Sequence, residues 1–383
     1  MLAPLDFDAF HRDDLLRRLA ASNGRAAAED LRGVGPLAFR LRDGRAYTYA
    51  AADHTVAIVA GDAAADTVVE LESGDWERFV AELHTAAGLV HGGRAHFSRG
   101  SPLHLERWEP ALRAMFDGRP IYDPATLRLP ARLDGRFALD DPDIPGFLHA
   151  TGFALVKRVF SADEIASLAR AADRLQAAAV PGDRRSWWAR DADGHDVLCR
   201  ITYAGLRAPE IAALDEDPRL HRLAALAAVP LRPASDRCDG HTIVLKHGGV
   251  VEGLSDLPWH RDCGLGGHPI MCPNLQIGIQ LEAATAESGR LLFLAGSWRA
   301  SCHRSAVGDG AVVAVDTEPG DCTLHFGDVL HAAPPPTRPG PGRRALYVSW
   351  FPERTFAAIP PGNGYNDLLL SRDDGIVAPR SAT

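Results

Sequence analysis

The segment Pro258-Trp-His-Arg-Asp262 carries the residue types with the clearest chemical potential in this chain. His260 and Asp262 are two residues apart, and in a β-strand this spacing places both side chains on the same face. An imidazole and a carboxylate on one face can bind a metal ion, and a second histidine from elsewhere would complete a two-histidine, one-carboxylate set. The same three letters also occur at His11-Arg12-Asp13 in a chain with 16 histidines, so the segment alone does not establish a site.

Length and composition indicate a globular protein with two domains. The chain has 383 residues, of which 46% are hydrophobic and 24% charged, and chains beyond about 250–300 residues usually divide. The net charge is -9 and the basic residues are scattered, which argues against nucleic acid or an anionic membrane as a partner. We find neither an apolar run that could span a membrane nor a secretory signal, so we expect a cytoplasmic protein. The six cysteines lack Cys-x-x-Cys spacing, so no zinc knuckle or redox pair is indicated.

The first 118 residues predict a small α+β domain. The pattern is a helix, strands that include a hairpin at Asp43-Gly44, and two further helices, over 76–89 and 109–116. This order resembles the sterol-carrier-protein-2-like fold, which implies an apolar ligand or a carrier partner. A structural or dimerising domain is the alternative, and the oligomeric state stays open. Residues 119–145 are rich in Pro, Gly and Asp and are interpreted as a linker.

Residues 146–383 predict a domain built mainly of strands. A helix begins at Ser161, with Glu164 completing a capping box. The polar segment 181–196 contains Trp187 and Trp188 and is interpreted as irregular, either a flap over a pocket or a surface loop. From Gly240 onward, glycine and proline turns separate successive strands, as a jelly roll requires. In one of these strands the residue types alternate, so packing of the apolar face on the flanking helices would direct the polar face to the barrel interior; an exposed sheet face would show the same alternation. One face carries Asn274, Gln276, Gly278 and Gln280, and the other carries Leu275, Ile277, Ile279 and Leu281.

A set of motifs in fixed order carries a family resemblance. After His260 and Asp262 come the segment Gly289–Arg299, the segment Gly320-Asp-Cys-Thr-Leu-His-Phe-Gly-Asp-Val-Leu-His331, and then Arg343-Arg-Ala. Over residues 146–352 this set resembles the phytanoyl-CoA dioxygenase family of Fe(II)/2-oxoglutarate oxygenases. The resemblance implies an α+β protein with a double-stranded β-helix, a jelly-roll and cupin-like core, flanked by helices.

The resemblance also implies roles for individual residues. His260, Asp262 and His331 would hold Fe(II), and Arg343 would bind the distal carboxylate of 2-oxoglutarate. Arg344 is the alternative, because the two arginines point to opposite faces of one strand. Four polar residues are candidates for contacts with the metal ligands or 2-oxoglutarate, with a purely structural role in the barrel as the alternative: Gln276, Gln280, Thr323 and Lys246. Three tryptophans are candidates for substrate contacts, with a packing role as the alternative for the last: Trp187, Trp188 and Trp298. Trp298 stands where the family usually has histidine, in Ala-Gly-Ser-Trp instead of Pro-Gly-Ser-His.

The expected activity is hydroxylation of an unactivated C–H bond of a small molecule, with Fe(II), 2-oxoglutarate and O2 as cofactor and co-substrates. Related halogenases have a small residue in place of the carboxylate, so Asp262 favours hydroxylation. Desaturation, epoxidation and ring formation remain open, and the substrate could be lipid-like, derived from an amino acid, or a secondary metabolite. Two other classes of protein are possible: a ligand-binding or carrier protein without turnover, and a zinc hydrolase that uses the same ligands.

Overall fold

The computed structural model describes residues 5–262, 270–308, 310–362 and 374–376. Within these ranges, no helix is both long enough and apolar enough to cross a membrane.

The first unit of structure is a five-stranded sheet covered by helices. The N-terminal helical segment is continuous from Phe7 to Asp30, because π-helical turns at Phe10–Asp14 and Leu19–Asn23 join three short α-helices. The sheet order is β3-β2-β1-β4-β5, with β1 and β4 parallel. In chain order the elements are α1 (Phe7–Ala9), α2 (Leu15–Arg18), α3 (Gly24–Asp30), β1 (Leu37–Leu41), β2 (Ala46–Ala51), β3 (Val56–Ala60), β4 (Thr67–Leu71), α4 (Ser73–Val80), α5 (Ala86–His91), β5 (His96–Arg99) and α6 (Pro102–Asp117).

Two of its helices differ from the sequence prediction. The single helix expected over 76–89 is two helices, because Glu82 has a positive φ of 59° and Thr85 starts α5 by accepting a hydrogen bond from the Gly88 amide. The helix expected from Glu109 already begins at Pro102 and carries Pro110 within it. The hairpin prediction is confirmed: Gly44 has a φ of 92°, which favours glycine, and closes the turn between β1 and β2.

Residues between the first unit and the barrel make extended contacts with the barrel. The strand β6 (Arg136–Phe137) pairs in parallel with β7 (Phe153–Val156), the strand that follows helix α7 (Ile144–Thr151). Tyr122 donates its amide to the carbonyl of Ser301. The domain limits 1–118, 119–145 and 146–383 stay predictions. The segment 121–137, within the predicted linker, nevertheless packs against the barrel.

The second unit contains two further sheets that face each other as a double-stranded β-helix. The larger has the order β12-β8-β9-β11-β19-β14-β17-β7-β6 with β10 beside β19, and the smaller has the order β13-β18-β15-β16. After β7 the elements are α8 (Ala162–Ala178), β8 (Ser186–Asp191), β9 (Asp196–Ile201), α9 (Pro209–Ala212), α10 (Pro218–Ala225), β10 (Arg232–Pro233), β11 (Thr242–Gly248), β12 (Val250–Glu252), β13 (Leu257–His260), β14 (Leu275–Gln280), β15 (Leu291–Leu294), β16 (Val312–Val315), β17 (Cys322–Phe326), β18 (His331–Ala333), β19 (Gly340–Phe351) and α11 (Glu353–Ala358).

One face of the large sheet packs against helices and the other lines the barrel interior. The apolar side chains Leu275, Ile277 and Ile279 of β14 pack in one cluster with buried residues of α8 and α10. The opposite face of β14 carries Gln276 and Gln280, which form hydrogen bonds inside the barrel. The alternation in the sequence therefore predicted the orientation of this strand correctly, because one face is apolar and the other is not.

The helix α8 begins as the sequence predicted. The Ser161 hydroxyl accepts from the Glu164 amide, and the Glu164 carboxylate accepts from the Ser161 amide, which confirms the capping box. The irregular segment expected around Trp187 is not observed: Trp187 and Trp188 lie on β8, which forms an antiparallel hairpin with β9.

Candidate active site

Three side chains with metal-binding atoms meet at one end of the small sheet. His260 ends β13 and His331 begins β18, and the two residues are direct cross-strand partners. Asp262 follows two residues after His260, and its amide donates to the carbonyl of Gly327. Antiparallel pairing thus brings the first and second histidines together, and the short extension after β13 adds the carboxylate.

The candidate ligand atoms of this triad are close together, and both histidine rings direct Nε2 toward the carboxylate. One ligand atom from each of the three residues lies within 4.8 Å of the others. Nε2 of His260 is 3.5 Å and Nε2 of His331 is 3.8 Å from Oδ1 of Asp262. Both Nδ1 atoms are occupied by backbone carbonyls, those of Pro258 at 2.7 Å and Val329 at 3.0 Å. These hydrogen bonds fix the rings so that both Nε2 lone pairs face the carboxylate.

The charge states of the triad suit a cation. Burial, together with the neighbouring His260, lowers the pKa of His331 well below the usual value, so its imidazole is neutral near pH 7. Burial acts against ionisation of Asp262, but the imidazoles around it, His331 first and then His260 and His325, outweigh burial and keep the pKa of Asp262 well below its ordinary value. A neutral imidazole and an ionised carboxylate are the forms that bind metal.

Arg261 lies between His260 and Asp262, directly after β13, and its side chain anchors this part of the chain to neighbouring loops. Its guanidinium donates to the carbonyls of Ser297 at 3.0 Å and Ala300 at 2.8 Å, and also to the carbonyl of Asp328. It lies 3.0 Å from Sγ of Cys302 as well. No motif in the sequence indicated a role for Arg261, although alternation in an extended segment would turn its side chain away from His260 and Asp262.

The two arginines of β19 have different surroundings. Arg343 is 1% exposed, its Nε donates to the carbonyl of Gly289 at 2.9 Å, and its Nη1 has no hydrogen-bond partner among the residues that the structure describes. Arg344 lies on the other face and is paired with Glu282, at 2.7 Å from Nε, and with Asp173. A buried guanidinium with a free donor needs an anionic or polar partner, whereas Arg344 already has two.

Lys246 is a second buried cation close to Arg343. Its Nζ donates to the carbonyls of Ser255 and Ala333. Burial and the charge of Arg343 lower the pKa of Lys246 to about 7. Two such groups in a buried region make that part of the barrel interior strongly attractive to a carboxylate.

The other predicted polar residues line the large sheet. Gln276 accepts a hydrogen bond of 2.6 Å from the Ser349 hydroxyl. Gln280 lies deeper, where its amide donates to the carbonyl of Gly278 at 3.1 Å and to Oγ1 of Thr323 at 3.4 Å. Gln280 and Thr323 therefore satisfy each other within the sheet, and Gln276 is placed nearer to the triad through its cross-strand partner His325.

The three tryptophans are not equivalent. Trp187 is buried beneath the guanidinium of Arg200, which is 4.6 Å from its ring centroid. Trp188 donates to the Ser186 hydroxyl at 2.8 Å. Trp298 packs on Phe326, with 4.5 Å between ring centroids, and its indole donates to the carbonyl of His149, so its contacts are those of a packing residue between α7 and β17.

Comparison with known proteins identifies the family. The model of the phytanoyl-CoA dioxygenase family matches residues 148–345, just over half of the chain, and this range contains the triad and both arginines. The chain belongs to the phytanoyl-CoA dioxygenase family. It is accordingly a non-heme Fe(II)- and 2-oxoglutarate-dependent dioxygenase, with O2 as co-substrate, built on a double-stranded β-helix.

Several solved structures are similar to this phytanoyl-CoA dioxygenase family member. AviO1 from Streptomyces viridochromogenes Tue57 is 26% identical, with 58% of this chain and 98% of that chain covered and a TM-score of 0.48. EctD from S. alaskensis with 2-oxoglutarate and 5-hydroxyectoine is 22% identical, with 61% and 82% covered and a TM-score of 0.47. SnoK, a non-heme alpha ketoglutarate dependent carbocyclase from nogalamycin biosynthesis, is 21% identical, with 58% and 92% covered and a TM-score of 0.47. No curated protein matches the chain.

The residues at the triad fit an Fe(II) ion. Two imidazole nitrogens and one carboxylate oxygen converge, and each imidazole is held from behind by a backbone carbonyl. This donor set is typical of non-heme iron oxygenases, whereas structural zinc sites are closed by four protein ligands, usually with thiolates among them.

Proposed function

We propose that this dioxygenase hydroxylates an unactivated C–H bond of a small molecule, with His260, Asp262 and His331 holding Fe(II) and Arg343 binding the distal carboxylate of 2-oxoglutarate. The observation that carries the proposal is the triad with its ligand atoms within 4.8 Å, in the same barrel as a buried arginine whose Nη1 has no partner among the described residues. The overall reaction would be R–H + 2-oxoglutarate + O2 giving R–OH + succinate + CO2.

The three ligands would occupy one side of the ion and leave the other side open. Bound there with 2-oxoglutarate and O2, iron supplies the oxidising power that an unactivated C–H bond requires. The protein's own contribution is positioning. Backbone carbonyls fix both imidazoles, and the amide of Asp262 donates to the carbonyl of Gly327 in the turn after β17.

Arg343 is favoured over Arg344 as the 2-oxoglutarate ligand. A guanidinium presents a planar pair of donors that matches a carboxylate, and its charge does not depend on pH in the working range. Within the described part of the chain, Arg343 keeps a donor without a partner and lies in the barrel interior beside Lys246, while Arg344 is paired with Glu282 and Asp173. The neighbouring polar side chains of β14 and β17 would mainly shape the surface of the 2-oxoglutarate site: Gln276, Gln280 and Thr323.

The substrate would enter from the β8–β9 side of the large sheet. Trp187, Arg200, Val244 and Ala345 are successive cross-strand neighbours on β8, β9, β11 and β19. Ala345 is two residues from Arg343, so this row of residues leads to the proposed 2-oxoglutarate site. Trp187 with Arg200 above it would form a rigid wall that limits substrate size and excludes water. Asp262 supports hydroxylation as the outcome, because it fills the position that a halide would need.

Anaerobic titration tests the proposal directly. Wild-type protein with Fe(II) should develop a weak visible charge-transfer band when 2-oxoglutarate is added, and His260→Ala should lack it. On exposure to O2, wild type should release succinate. If wild type shows neither the band nor succinate, the proposed chemistry is wrong.

The paired arginines provide the matched control. Arg343→Ala should weaken 2-oxoglutarate binding by about 10- to 100-fold, because a charge-assisted bidentate contact is worth about 1.5–3 kcal/mol. Arg344→Ala, which removes the same charge from the neighbouring residue, should change it less than twofold. Equal effects of the two substitutions would remove Arg343 from the site.

A further inference from the structure

A third histidine contacts the metal-binding triad. His325 lies on β17 and is 1% exposed. Its Nε2 is 3.2 Å from Oδ2 of Asp262. Its ring centroid lies 4.6 Å from that of His331 and 5.5 Å from that of Phe293. The ring is thus enclosed by aromatic neighbours and directed at the carboxylate.

The two oxygens of Asp262 have separate partners. Oδ1 faces Nε2 of His260 at 3.5 Å and Nε2 of His331 at 3.8 Å. Oδ2 is approached by His325. Because an ionised carboxylate only accepts hydrogen bonds, Nε2 of His325 must be the protonated nitrogen of that ring. One oxygen is therefore left for a cation, and the other is occupied by a donor.

Among the described residues, no other polar contact accounts for a buried imidazole at position 325. Its Nδ1 is buried and has no hydrogen-bond partner within the part of the chain that the structure describes. An apolar ring at this position would pack against Phe293 without leaving an unpaired polar atom. The contact with Asp262 is the compensating interaction, which ties the histidine to the function of the triad instead of to the core.

His325 is poorly suited to be a fourth ligand. Its Nε2 is committed to Oδ2, and among the described residues the group with converging ligand atoms at this site comprises His260, Asp262 and His331 without it. Four protein ligands would also leave only two positions on a six-coordinate ion, too few for a bidentate keto-acid and O2 together.

We propose that His325 is a positioning residue that donates a hydrogen bond from Nε2 to Oδ2 of Asp262 and thereby holds the carboxylate as a one-oxygen metal ligand. This inference rests on the proposed function, since it assumes that the triad binds the metal. Without the donor, the carboxylate is free to rotate or to present both oxygens. The bound ion then loses the fixed geometry that keeps its other positions open.

The experiment measures equilibrium Co(II) and Fe(II) binding to the full-length protein under anaerobic conditions, without 2-oxoglutarate or substrate. His325→Phe keeps a planar ring but removes the donor, and its metal affinity should fall by about 10- to 100-fold, the usual effect of losing such a partner. His325→Gln places an amide N–H near the position of Nε2, so its affinity should stay within about fivefold of wild type. The Co(II) absorption spectrum of His325→Gln should match wild type, whereas that of His325→Phe should shift.

A third variant protects the test against misfolding. His325→Asn has a similar amide on a shorter side chain that cannot reach Oδ2, and it should bind metal as weakly as His325→Phe. Far-ultraviolet circular dichroism and urea unfolding of the metal-free proteins show which variants are folded. If His325→Phe does not fold, the comparison of Gln with Asn gives the answer.

The outcomes separate this inference from the proposed function. Wild-type affinity in His325→Phe, or in His325→Asn, overturns the positioning role. So does an affinity in His325→Gln as low as in His325→Phe, which is the result expected of a direct ligand or of a general structural role. If wild type itself fails to bind Fe(II) or Co(II), while His260→Ala is indistinguishable from it, the proposed function fails and not merely the role of His325.

Discussion

Lys246 and Arg343 place two cationic groups together inside the barrel, and only one of them can lose its charge near neutral pH. Burial and the charge of Arg343 lower the pKa of Lys246 to about 7, with Asp256 and Cys199 acting weakly in the opposite direction. A bound carboxylate would favour the charged lysine. Binding of 2-oxoglutarate should therefore be accompanied by proton uptake above pH 7.

The affinity for 2-oxoglutarate should consequently depend on pH in a defined direction. Below pH 7 Lys246 is protonated and binding is tightest; above pH 7 the dissociation constant should rise, with a limit of about tenfold per pH unit for one proton. Lys246→Met should bind more weakly at pH 6.5 and show a flat profile, while Arg344→Ala should keep the slope of wild type. Titrations of the visible band from pH 6.5 to 8.5 measure this. A slope in Lys246→Met equal to that of wild type would assign the proton to another group.

At the scale of elements, local patterns predicted much of the fold. Alternation in β14, the Asp43-Gly44 turn and the Ser161 capping box were correct because each depends on residues that are close in sequence. The strand β5 was missed because it is a short and mostly exposed edge strand without an apolar face. The early start of α6 was missed because Pro110 is more typical of a first turn than of a helix interior.

The motifs singled out His260, Asp262, His331 and Arg343 as candidate site residues, but the partners of these residues come from strand pairing that no local pattern specifies. His325 reaches Asp262 only because β17 pairs with β14 and both face the small sheet. Similarly, Arg261 donates to the carbonyls of residues 297, 300 and 328, which lie in two loops that are distant in sequence and pack against the end of β13.

Arg261 should matter for stability as well as for metal binding. In Arg261→Met the carbonyls of Ser297, Ala300 and Asp328 lose a buried donor, and an unsatisfied buried acceptor costs about 1–3 kcal/mol. We expect the free energy of unfolding to fall by about 3 kcal/mol in urea titrations of the metal-free protein. The exposed Arg304→Met on the neighbouring 3-10 turn should change it by less than about 0.5 kcal/mol. Equal values for the two variants would mean that the anchoring contacts of Arg261 are not formed in solution.

For the whole molecule, the hydrophobic clusters suggest where the catalytic part begins. One cluster contains residues from Phe7 to Phe116 and another contains residues from Ile144 to Trp350. A third and smaller cluster joins Tyr122 to Leu294 and Leu330, with Leu127 and Trp259 packed against it. Because Trp259 precedes His260 directly, the segment expected to be a linker supports the strand that carries the first residue of the candidate metal site.

Two truncations should therefore behave differently. A chain of residues 119–383 keeps the second and third clusters, and it should bind Fe(II) and 2-oxoglutarate within a few-fold of the full chain. A chain of residues 146–383 lacks β6, which pairs with β7, and Tyr122, whose hydroxyl donates to the carbonyl of Ala295 at 3.3 Å.

The shorter chain also exposes Gly296, where Leu127 and Leu129 pack closely. Loss of Tyr122, Leu127 and Leu129 should lower its free energy of unfolding by at least about 3 kcal/mol relative to 119–383, because full burial of one such side chain contributes about 1.5–3 kcal/mol and both leucines are only partly buried. Its affinity for Fe(II) should fall with it, because Trp259 then lacks its support. Urea unfolding and anaerobic Fe(II) titration of both chains measure these effects. Equal stability and affinity of the two would show that residues 119–145 are a linker after all, whereas failure of 119–383 to fold would place residues 1–118 within the catalytic unit.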